Sequence, residues 1–493
     1  MSRFILAIDQ GTTSSRAILF SLSGKPIYSS QKEFRQYFPK NGWVEHNPNE
    51  IWSTTKKVLI EVINKSKKLK GKILTIGITN QRETTILWDK KTGKPVYNAI
   101  VWQDRRTAEF CKKFKSKNRE KLINRKTGLL IDPYFSGTKI KWILDNIPRA
   151  KKLVKNNNLL FGTVDTFLLW KLTKGKVHAT DATNASRTML FNISNNEWDK
   201  GILKSLKIPK NILPQVKDSS DDFGLTDKSI TGKSYPINGV VGDQQAATIG
   251  QSCFAKGSVK STYGTGAFIL MNTGSKKIYS KNKLLTTICY RLNGKTTYAL
   301  EGSIFIAGAG VQWLRDKIKF IKKASETEKI LKSSISNKGV YLVPAFTGLG
   351  APYWNPKSRG ILCGLTRDTG PKEIIRATIE SVAYQTYDLF EAMKNDGLRP
   401  KIVRVDGGMV RNNWFSQFLS NVVNVKVYRP KVNETTALGA AFMAGLKIGV
   451  YKSLKDISKN WKVEKKFFPK IKNNQRKKLL NGWSKSIRKT LLD

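Results

Sequence analysis

The chain opens with short apolar runs separated by small-residue turns. Residues 4–8 read as a buried strand, residues 14–21 resume strand character after the polar turn at residues 9–13, and residues 25–30 form a third strand. This pattern predicts a three-stranded meander, in contrast to the strand-to-helix start of a dinucleotide-binding unit. Residues 260–273 repeat the plan, with a Gly-Thr-Gly turn leading into an apolar strand.

Further strands are predicted at residues 73–79 and 99–102, and each delivers polar and aromatic side chains at its carboxyl end. Open α/β sheets bind ligands at that edge. A helix should begin at Pro371, since proline is favoured in the first helical turn. Small and apolar residues at helical spacing predict two more helices, at residues 435–446 and 473–491. The alternation indicates an α/β protein.

The two similar hairpins suggest a duplicated architecture that holds a nucleotide between equivalent loops. Chance similarity of two Gly-Thr turns is the alternative. The spacing predicts one domain at residues 1–249 and a second at residues 250–493. A chain of 493 residues is long enough for two to four domains.

Composition removes several classes of function. No apolar run is long enough to span a bilayer, so we expect no membrane insertion. No secretory signal pattern is visible, and we predict a cytoplasmic protein. Four scattered cysteines and two histidines make a zinc site or a histidine triad a poor explanation.

The formal charge of +52 would ordinarily indicate nucleic-acid binding. The lysines recur along the whole chain, however, so we interpret them as solvated surface and expect no specific nucleic-acid partner. Such a positive field would still attract a polyanion such as ATP.

The usual phosphate-binding motifs are absent. Residues 232–234 read Gly-Lys-Ser, but the glycine that a P-loop requires five places before Gly232 is replaced by Asp227. The Gly264 and Gly266 pair fails the dinucleotide fingerprint, because Ile269 stands at the third glycine position. The loop from Gly11 instead offers amides, hydroxyls and a nearby arginine, a set suited to phosphate oxygens, although a plain structural turn is the alternative.

The central stretch GVVGDQQAATIGQ, residues 239–251, places Asp243 where an apolar strand gives way to a small-residue helix. A carboxylate at that point is well placed to act as a general base, and a helix cap is the competing interpretation. Arg82, Glu83 and Trp102 add donors, acceptors and an aromatic surface suited to a neutral polyol. An Arg-Glu pair can also be only a surface ion pair.

Nine segments in order resemble the FGGY carbohydrate kinase family of the actin-like ATPase superfamily. They are DQGTTSSRA at Asp9, TNQRETT at Thr79, VWQDRRT at Val101, DPYFSGTKIKWIL at Asp132, GDQQAA at Gly242, YGTGAF at Tyr263, GLGAPYW at Gly348, RGILCGLTRDT at Arg359 and VDGGMVRNN at Val405. The resemblance implies two ribonuclease-H-like α/β domains, with mixed sheets flanked by helices, around a central cleft.

Within that family the motifs are similar to those of members that phosphorylate glycerol, which implies transfer from ATP, release of ADP and use of Mg²⁺. The positions that the resemblance assigns to glycerol are Arg82, Glu83, Trp102, Tyr134, Asp243, Gln244 and Phe268, with Asp243 as the base. Those assigned to the nucleotide are Thr12, Thr13, Ser14, Arg16, Thr265, Gly308, Gln312, Gly408 and Asn412. Asp9, through water, and Asp243 would serve the metal. Relatives are commonly homodimers or homotetramers.

One departure concerns regulation. Bacterial members inhibited by fructose 1,6-bisphosphate resemble one another in a Gly-Gly-Thr-Arg loop before GDQQAA, but residues 231–239 here read TGKSYPING. Lys233 supplies a point charge and not a bidentate fork, so we expect weak or absent inhibition. A kinase for another polyol or sugar, such as xylulose or erythritol, and a non-metabolic actin-like ATPase remain the alternative functions.

Overall fold

The computed structural model describes residues 2–492. Its strands, in chain order, are β1 Arg3–Gln10, β2 Ser14–Ser21, β3 Pro26–Glu33, β4 Gln36–Tyr37, β5 Glu45–His46, β6 Lys72–Asn80, β7 Ile86–Asp89, β8 Ala99–Ile100, β9 Leu159–Gly162, β10 Ala179–Asp181, β11 Phe191–Asn192, β12 Glu197–Trp198, β13 Gln215–Lys217, β14 Ile237–Gly242, β15 Val259–Tyr263, β16 Ala267–Gly274, β17 Leu285–Leu292, β18 Lys295–Ile304, β19 Tyr341–Val343, β20 Ile361–Cys363, β21 Ile402–Asp406, β22 Lys426–Pro430 and β23 Val463–Phe467.

The α-helices, in chain order, are α1 Pro48–Lys68, α2 Ala108–Phe114, α3 Lys117–Thr127, α4 Ser136–Asn146, α5 Pro148–Lys155, α6 Val164–Leu172, α7 Ala182–Ala185, α8 Lys200–Leu206, α9 Lys228–Thr231, α10 Asp243–Gly250, α11 Gly308–Asp316, α12 Glu326–Ser333, α13 Pro371–Asn395, α14 Asn413–Val423, α15 Thr435–Lys447, α16 Leu454–Ser458 and α17 Asn473–Thr490. Short 3₁₀ helices lie at Lys210–Ile212 and Gly408–Arg411. Within residues 2–492, no helix combines the length and apolar character needed to cross a membrane.

The chain divides into two compact units, and each is built from more than one segment. The first comprises the chain up to Ser252 together with Thr286–Tyr298 and Glu434–Trp461. The second comprises Cys253–Leu285, Ala299–Asn433 and the chain from Lys462 onward. The change of unit at Ser252 lies beside the predicted division after residue 249, and the first unit also takes in the two later segments.

The first unit is organised around a mixed five-stranded sheet of order β14-β6-β1-β2-β3. β1, β2 and β3 are antiparallel neighbours, which confirms the predicted meander, whereas β6 runs parallel to both β1 and β14. In register, Gln10 pairs with Asn80, and Asn80 pairs with Gly242. The three parallel strands therefore end level, and the residues that follow them emerge at one edge of the sheet.

Small residues let helices pack closely on this sheet. α15 contacts α10, β6 and β14, and a Cβ atom at Gly439 would overlap the backbone of Ala246 on α10. A Cβ at Gly239 on β14 would lie 2.6 Å from the backbone nitrogen of Ala444. On the other face, apolar residues of α1 such as Val58 and Val62 are fully buried. Helices thus cover the sheet on both faces.

The second unit contains the mixed sheet of order β17-β18-β16-β15-β21-β22-β23, although residues Thr286–Tyr298 of its first hairpin cluster with the first unit. β15 is antiparallel to β16 and parallel to β21, and β22 is parallel to β21. The run β18-β16-β15-β21-β22 thus corresponds in order to β3-β2-β1-β6-β14. Helix α17 closes this core with Trp483 and Ile487, as the apolar stripe of the C-terminal segment predicts.

One predicted strand is shorter than its apolar pattern indicates. β8 ends at Ile100, because the chain turns there and the amide of Asp104 donates to the carbonyl of Val101. Trp102 therefore lies in a turn and not in a strand.

Candidate active site

The parallel strand ends of the first unit bring Arg82, Glu83 and Asp243 together. Arg82 and Glu83 follow β6, and Glu83 adopts a left-handed backbone with φ of 60°. Asp243 is the first residue of α10, and the N-cap position is occupied by Gly242, without a side-chain cap. The cap interpretation of Asp243 is therefore wrong, because Gly242 occupies the N-cap position and Asp243 is the first helical residue.

The Asp243 carboxylate is oriented by neighbouring side chains. Arg82 Nε lies 3.1 Å from Asp243 Oδ1, and the Arg82 side chain is only 2% exposed whereas that of Asp243 is 28% exposed. Gln244 donates to the same carboxylate through its backbone N–H at 2.7 Å and its side-chain Nε2 at 3.1 Å. A second contact of Arg82, to Gln245 Oε1 at 3.1 Å, fixes the guanidinium. The arrangement holds an accessible carboxylate against a buried cation.

Aromatic residues line the same neighbourhood. The rings of Trp102 and Tyr134 meet edge to face with centroids 5.8 Å apart. Trp102 Nε1 donates to Thr12 Oγ1 at 2.9 Å, which connects the aromatic pair with the loop after β1. Tyr134 is almost completely buried, while Trp102 is half-buried. An apolar surface beside charged groups suits a small polyol.

The loop between β1 and β2 is a tight turn in which the Gly11 amide donates to the Ser14 carbonyl at 2.9 Å. Thr13 at its tip is exposed. Arg16 donates to Gln31 Oε1 through Nε at 3.0 Å and Nη2 at 2.7 Å, and it forms an ion pair with Glu434. Exposed amides and hydroxyls backed by a held guanidinium can bind phosphate oxygens.

Asp9 lies at the end of β1, half-buried, opposite Thr79 in the sheet. Burial raises the pKa of Asp9 to about 7, the charges of Glu434 and Asp243 act in the same direction, and Arg16 opposes them. Among residues 2–492 no group of three or more His, Cys, Asp or Glu side chains forms a metal cage. The excess of carboxylates near Asp9 instead suits Mg²⁺ held by one or two carboxylates, waters and phosphate oxygens.

The second unit contains a cavity of about 500 Å³ between β15, α11, α12 and the turn after β21. Five residues predicted from the sequence line it: Thr265, Gly308, Gln312, Gly408 and Asn412. Other lining residues come from α12 and its approach, including Ser325, Thr327 and Glu328, and sequence reasoning missed them. α12 carries no motif, so only packing against α13 and α14 places these residues in the cavity.

Glycines shape the wall of this cavity in different ways. Gly407 has φ of 94°, and a Cβ there would overlap the backbone of Tyr263. A Cβ at Gly408 would meet no atom within 4 Å, so the open space beside this residue is available to a ligand. Asn412 caps α14 by accepting from the Phe415 amide at 3.0 Å, and its Nδ2 donates to Thr327 Oγ1 at 3.2 Å.

Phe268 is the one predicted polyol residue that lies in the second unit. It is half-buried on β16, opposite Thr262 in the register of the β15–β16 hairpin. The other predicted polyol residues, Arg82, Glu83, Trp102, Tyr134, Asp243 and Gln244, all belong to the first unit.

Two buried cations behind the polyol residues were also missed. Arg187 Nε lies 2.6 Å from Glu83 Oε1, and Lys139 Nζ donates to the carbonyl of Tyr134 at 2.5 Å. Burial lowers the pKa of Lys139 to about 7, while the charge of Glu83 raises it. Lys139 lies within the motif DPYFSGTKIKWIL. Because lysines usually lie at the surface, the sequence did not indicate that this one is buried.

The two α/β units share a strand order, the first has a loop suited to phosphate, and the second contains a cavity large enough for a nucleotide. These features define a protein of the actin-like ATPase class. The N-terminal domain of the FGGY family of carbohydrate kinases matches residues 4–250, and its C-terminal domain matches residues 259–448. The chain therefore belongs to the FGGY family of carbohydrate kinases.

Full-length relatives agree with this assignment. The chain is 55% identical over 489 residues to glycerol kinase 1 of Pseudomonas aeruginosa, with 99% of each chain covered. It is 56% identical over 488 residues to glycerol kinase of Alteromonas mediterranea, again with 99% of each covered. Among solved structures, Plasmodium falciparum glycerol kinase with ADP aligns with a TM-score of 0.92 and 40% identity, covering 100% of this chain and 99% of the other. Gluconate kinase of Lactobacillus acidophilus aligns with a TM-score of 0.87 at 22% identity, over 100% of this chain and 98% of that one, which supports the fold.

Proposed function

We propose that this enzyme transfers the γ-phosphoryl group of ATP to a terminal hydroxyl of glycerol, giving sn-glycerol 3-phosphate and ADP. The single observation that carries the proposal is the accessible Asp243 carboxylate held 3.1 Å from the buried Arg82 guanidinium, beside Glu83. Full-length relatives named glycerol kinase support the choice of glycerol over other polyols.

In this proposal the polyol is held by groups of opposite character. Glu83 and Asp243 accept hydrogen bonds from hydroxyls, Arg82 and Gln244 donate to them, and Tyr134 adds a contact from the wall. The ring of Trp102 covers the carbon skeleton, and Phe268 is assigned to the same substrate. A small ligand with three hydroxyls needs this density of polar groups to be distinguished from other alcohols.

Asp243 acts as the general base. The hydroxyl oxygen attacks the γ-phosphorus, the bond from that phosphorus to the β–γ bridging oxygen breaks, and the hydroxyl proton passes to Asp243 late in a loose transition state. The electron pair of the broken bond remains on ADP. Positioning of the reactants and neutralisation of phosphate charge supply most of the rate enhancement.

The nucleotide is proposed to use both units. Thr12, Thr13, Ser14 and Arg16 meet its phosphates, as do Thr265, Gly308 and Gln312, while Gly408 and Asn412 lie beside the adenosine. We assign residues 1–249 to glycerol and the phosphate loop, and residues 250–493 to the adenosine.

Mg²⁺ is proposed to be held near Asp9 through water, and near Asp243, where it would neutralise phosphate charge. Asp9, with its raised pKa, is suited to such a role because a nearby cation favours the ionised carboxylate.

The decisive assay is ADP release with Mg²⁺ and ATP, measured with glycerol, without it, and with xylulose or erythritol in its place. We expect release to depend on glycerol. Preference for xylulose or erythritol would establish the kinase for another polyol, and turnover without any acceptor would favour the non-metabolic ATPase.

We also propose a cytoplasmic location, where ATP is available, and a homodimer or homotetramer, which sedimentation would test.

A further inference from the structure

Glu83 is a carboxylate in an unfavourable setting. It is 1% exposed, and its backbone has φ of 60°, a conformation that costs free energy for a residue with a side chain. A buried carboxylate also requires a partner charge and hydrogen bonds to remain ionised. Both features persist only where the surrounding structure imposes them.

Arg187 supplies the charge. Its Nε lies 2.6 Å from Glu83 Oε1, whereas the Nε of Arg82 is 3.9 Å from the same oxygen. The Arg187 guanidinium lies over the rings of Tyr134 and Phe135, with 5.6 Å and 5.4 Å to the ring centroids. Arg82 therefore lies closer to Asp243, and Arg187 closer to Glu83.

Two residues of α4 hold the backbone of Glu83 and Tyr134. The carbonyl oxygen of Glu83 accepts from Ser136 Oγ at 2.9 Å and from Lys139 Nζ at 3.4 Å. The same ammonium donates to the carbonyl of Tyr134. The side chain of Glu83 is therefore set by Arg187, and its main chain by Ser136 and Lys139.

Arg187 is itself fully buried, at 0% exposure, just after helix α7, where its amide donates to the carbonyl of Asn184 at 3.0 Å. Its Nε donates to Glu83 Oε1 at 2.6 Å, and its guanidinium lies over the ring of Tyr134. Its effect on the substrate must pass through Glu83 and Tyr134, the residues that it contacts.

We propose that Arg187 is a positioning residue for the polyol substrate, which holds the Glu83 carboxylate in place and aimed at a substrate hydroxyl. This inference rests on the proposed function. Because Arg187 contacts polyol residues, its loss weakens glycerol binding and leaves ATP binding nearly unchanged.

The test compares Arg187→Gln and Arg187→Lys with the wild-type enzyme in the glycerol-dependent ADP assay. Arg187→Gln should raise KM for glycerol about tenfold or more, with KM for ATP changed less than about twofold. Arg187→Lys keeps the charge but not the planar donor, so its glycerol KM should lie between those of the wild type and Arg187→Gln. Glu83→Gln should raise the glycerol KM, and adding Arg187→Gln to it should produce little further change.

Arg106 offers a matched control in the same unit. It too has a fully buried side chain, paired with Glu45 at 2.7 Å and Asp104 at 2.8 Å, and its guanidinium lies 3.7 Å from the Trp43 ring centroid. Arg106→Gln should lower the melting temperature about as much as Arg187→Gln does, without raising the glycerol KM.

An unchanged glycerol KM in Arg187→Gln, or the same rise in Arg106→Gln, would overturn the inference. If Arg187→Gln does not fold, Arg187→Lys decides the matter, and a wild-type glycerol KM in that variant overturns the inference as well. A wild-type enzyme without glycerol-dependent ADP release would instead overturn the proposed function, so the two failures are distinguishable.

Discussion

The two units share a strand order but build opposite kinds of site on it. At the sheet edge of the first unit, opposite charges pair: the buried Arg82 with the accessible Asp243, and the buried Arg187 with the buried Glu83. The corresponding edge of the second unit opens into a cavity of about 500 Å³, whose lining includes three glycines, the buried apolar residues Ile379 and Phe415, and several exposed polar side chains. One fold thus supports both a charge-organised site and a shape-organised one.

The difference follows from what each site is proposed to bind. A small polyol offers only hydroxyls, so its recognition depends on polar groups fixed before it arrives. A nucleotide offers a large flat base and a sugar, so open space and close backbone approach suffice. We therefore expect substitutions in the first unit to act through charge, and those in the second through volume.

The largest effect should come from Asp243→Asn. This change keeps the size of the side chain but removes the proton acceptor, so kcat should fall about 10³-fold or more. The cavity of the second unit is untouched, and ATP binding measured by calorimetry should persist. Near-wild-type turnover would refute the base assignment. It would also contradict the view that the site of the first unit acts through charge.

Volume in the second unit can be tested at Gly408 and Gly308. Gly408→Val should raise KM for ATP about tenfold or more, with little change in melting temperature, because only the cavity receives the added methyl groups. Gly308→Ala should lower the melting temperature as well, since its Cβ would lie 2.6 Å from the carbonyl of Gly264. An unchanged KM for ATP in Gly408→Val would show that the nucleotide binds elsewhere.

Asp388 sharpens the comparison, because it is a carboxylate of the second unit held by neutral donors. Tyr353 OH donates to it at 2.9 Å and Trp483 Nε1 at 2.8 Å, and burial raises the pKa of Asp388 to about 7. Between about pH 4 and pH 7 the folded state therefore binds more protons than the unfolded state, and the free energy of unfolding falls as pH rises through that window.

Asp388→Asn removes this dependence and keeps an acceptor for both donors. Relative to wild type, the variant should gain stability from pH 5 to pH 8 by roughly 2 to 3 kcal/mol, because each pKa unit corresponds to about 1.4 kcal/mol. Urea unfolding at the two pH values measures it. A difference between variant and wild type that does not grow with pH would show that Asp388 is ionised at little cost.

The smallest expected effect is on regulation. Residues 231–239 of the first unit carry Lys233, an exposed ammonium 5.2 Å from the ring centroid of Tyr235, in place of an arginine. A point charge on the surface binds a bisphosphate weakly. We expect weak or absent inhibition by fructose 1,6-bisphosphate, and inhibition at micromolar concentrations would contradict this.

Local patterns in the sequence predicted several of the elements and, at the site, Arg82, Glu83, Trp102 and Asp243. The meander at the start and the helix from Pro371 follow from periodicity and turn residues. The resemblance to the family then supported the roles of Asp243 and Arg82 and added further site residues. The structure brings these two within 3.1 Å of each other, although their roles stay predictions.

What the sequence could not predict depends on distant contacts. Arg187 is 104 residues from Glu83, and nothing in its immediate neighbours indicates a buried ion pair. Thr327 lines the cavity because α12 packs beside α14. Contacts of this kind are decided by tertiary packing, which local propensity does not encode.

The close packing of α15 on α10 has a consequence for biosynthesis. α10 begins with Asp243, but α15, the helix that packs against it, begins at Thr435. Glycines at the contact let the two helix backbones approach closely. While the ribosome is still extending the chain, the sheet edge that carries the proposed base lacks one of its walls. A fragment ending at Ser252 should therefore not fold stably by itself, and the segment Glu434–Trp461 should be needed to complete its unit.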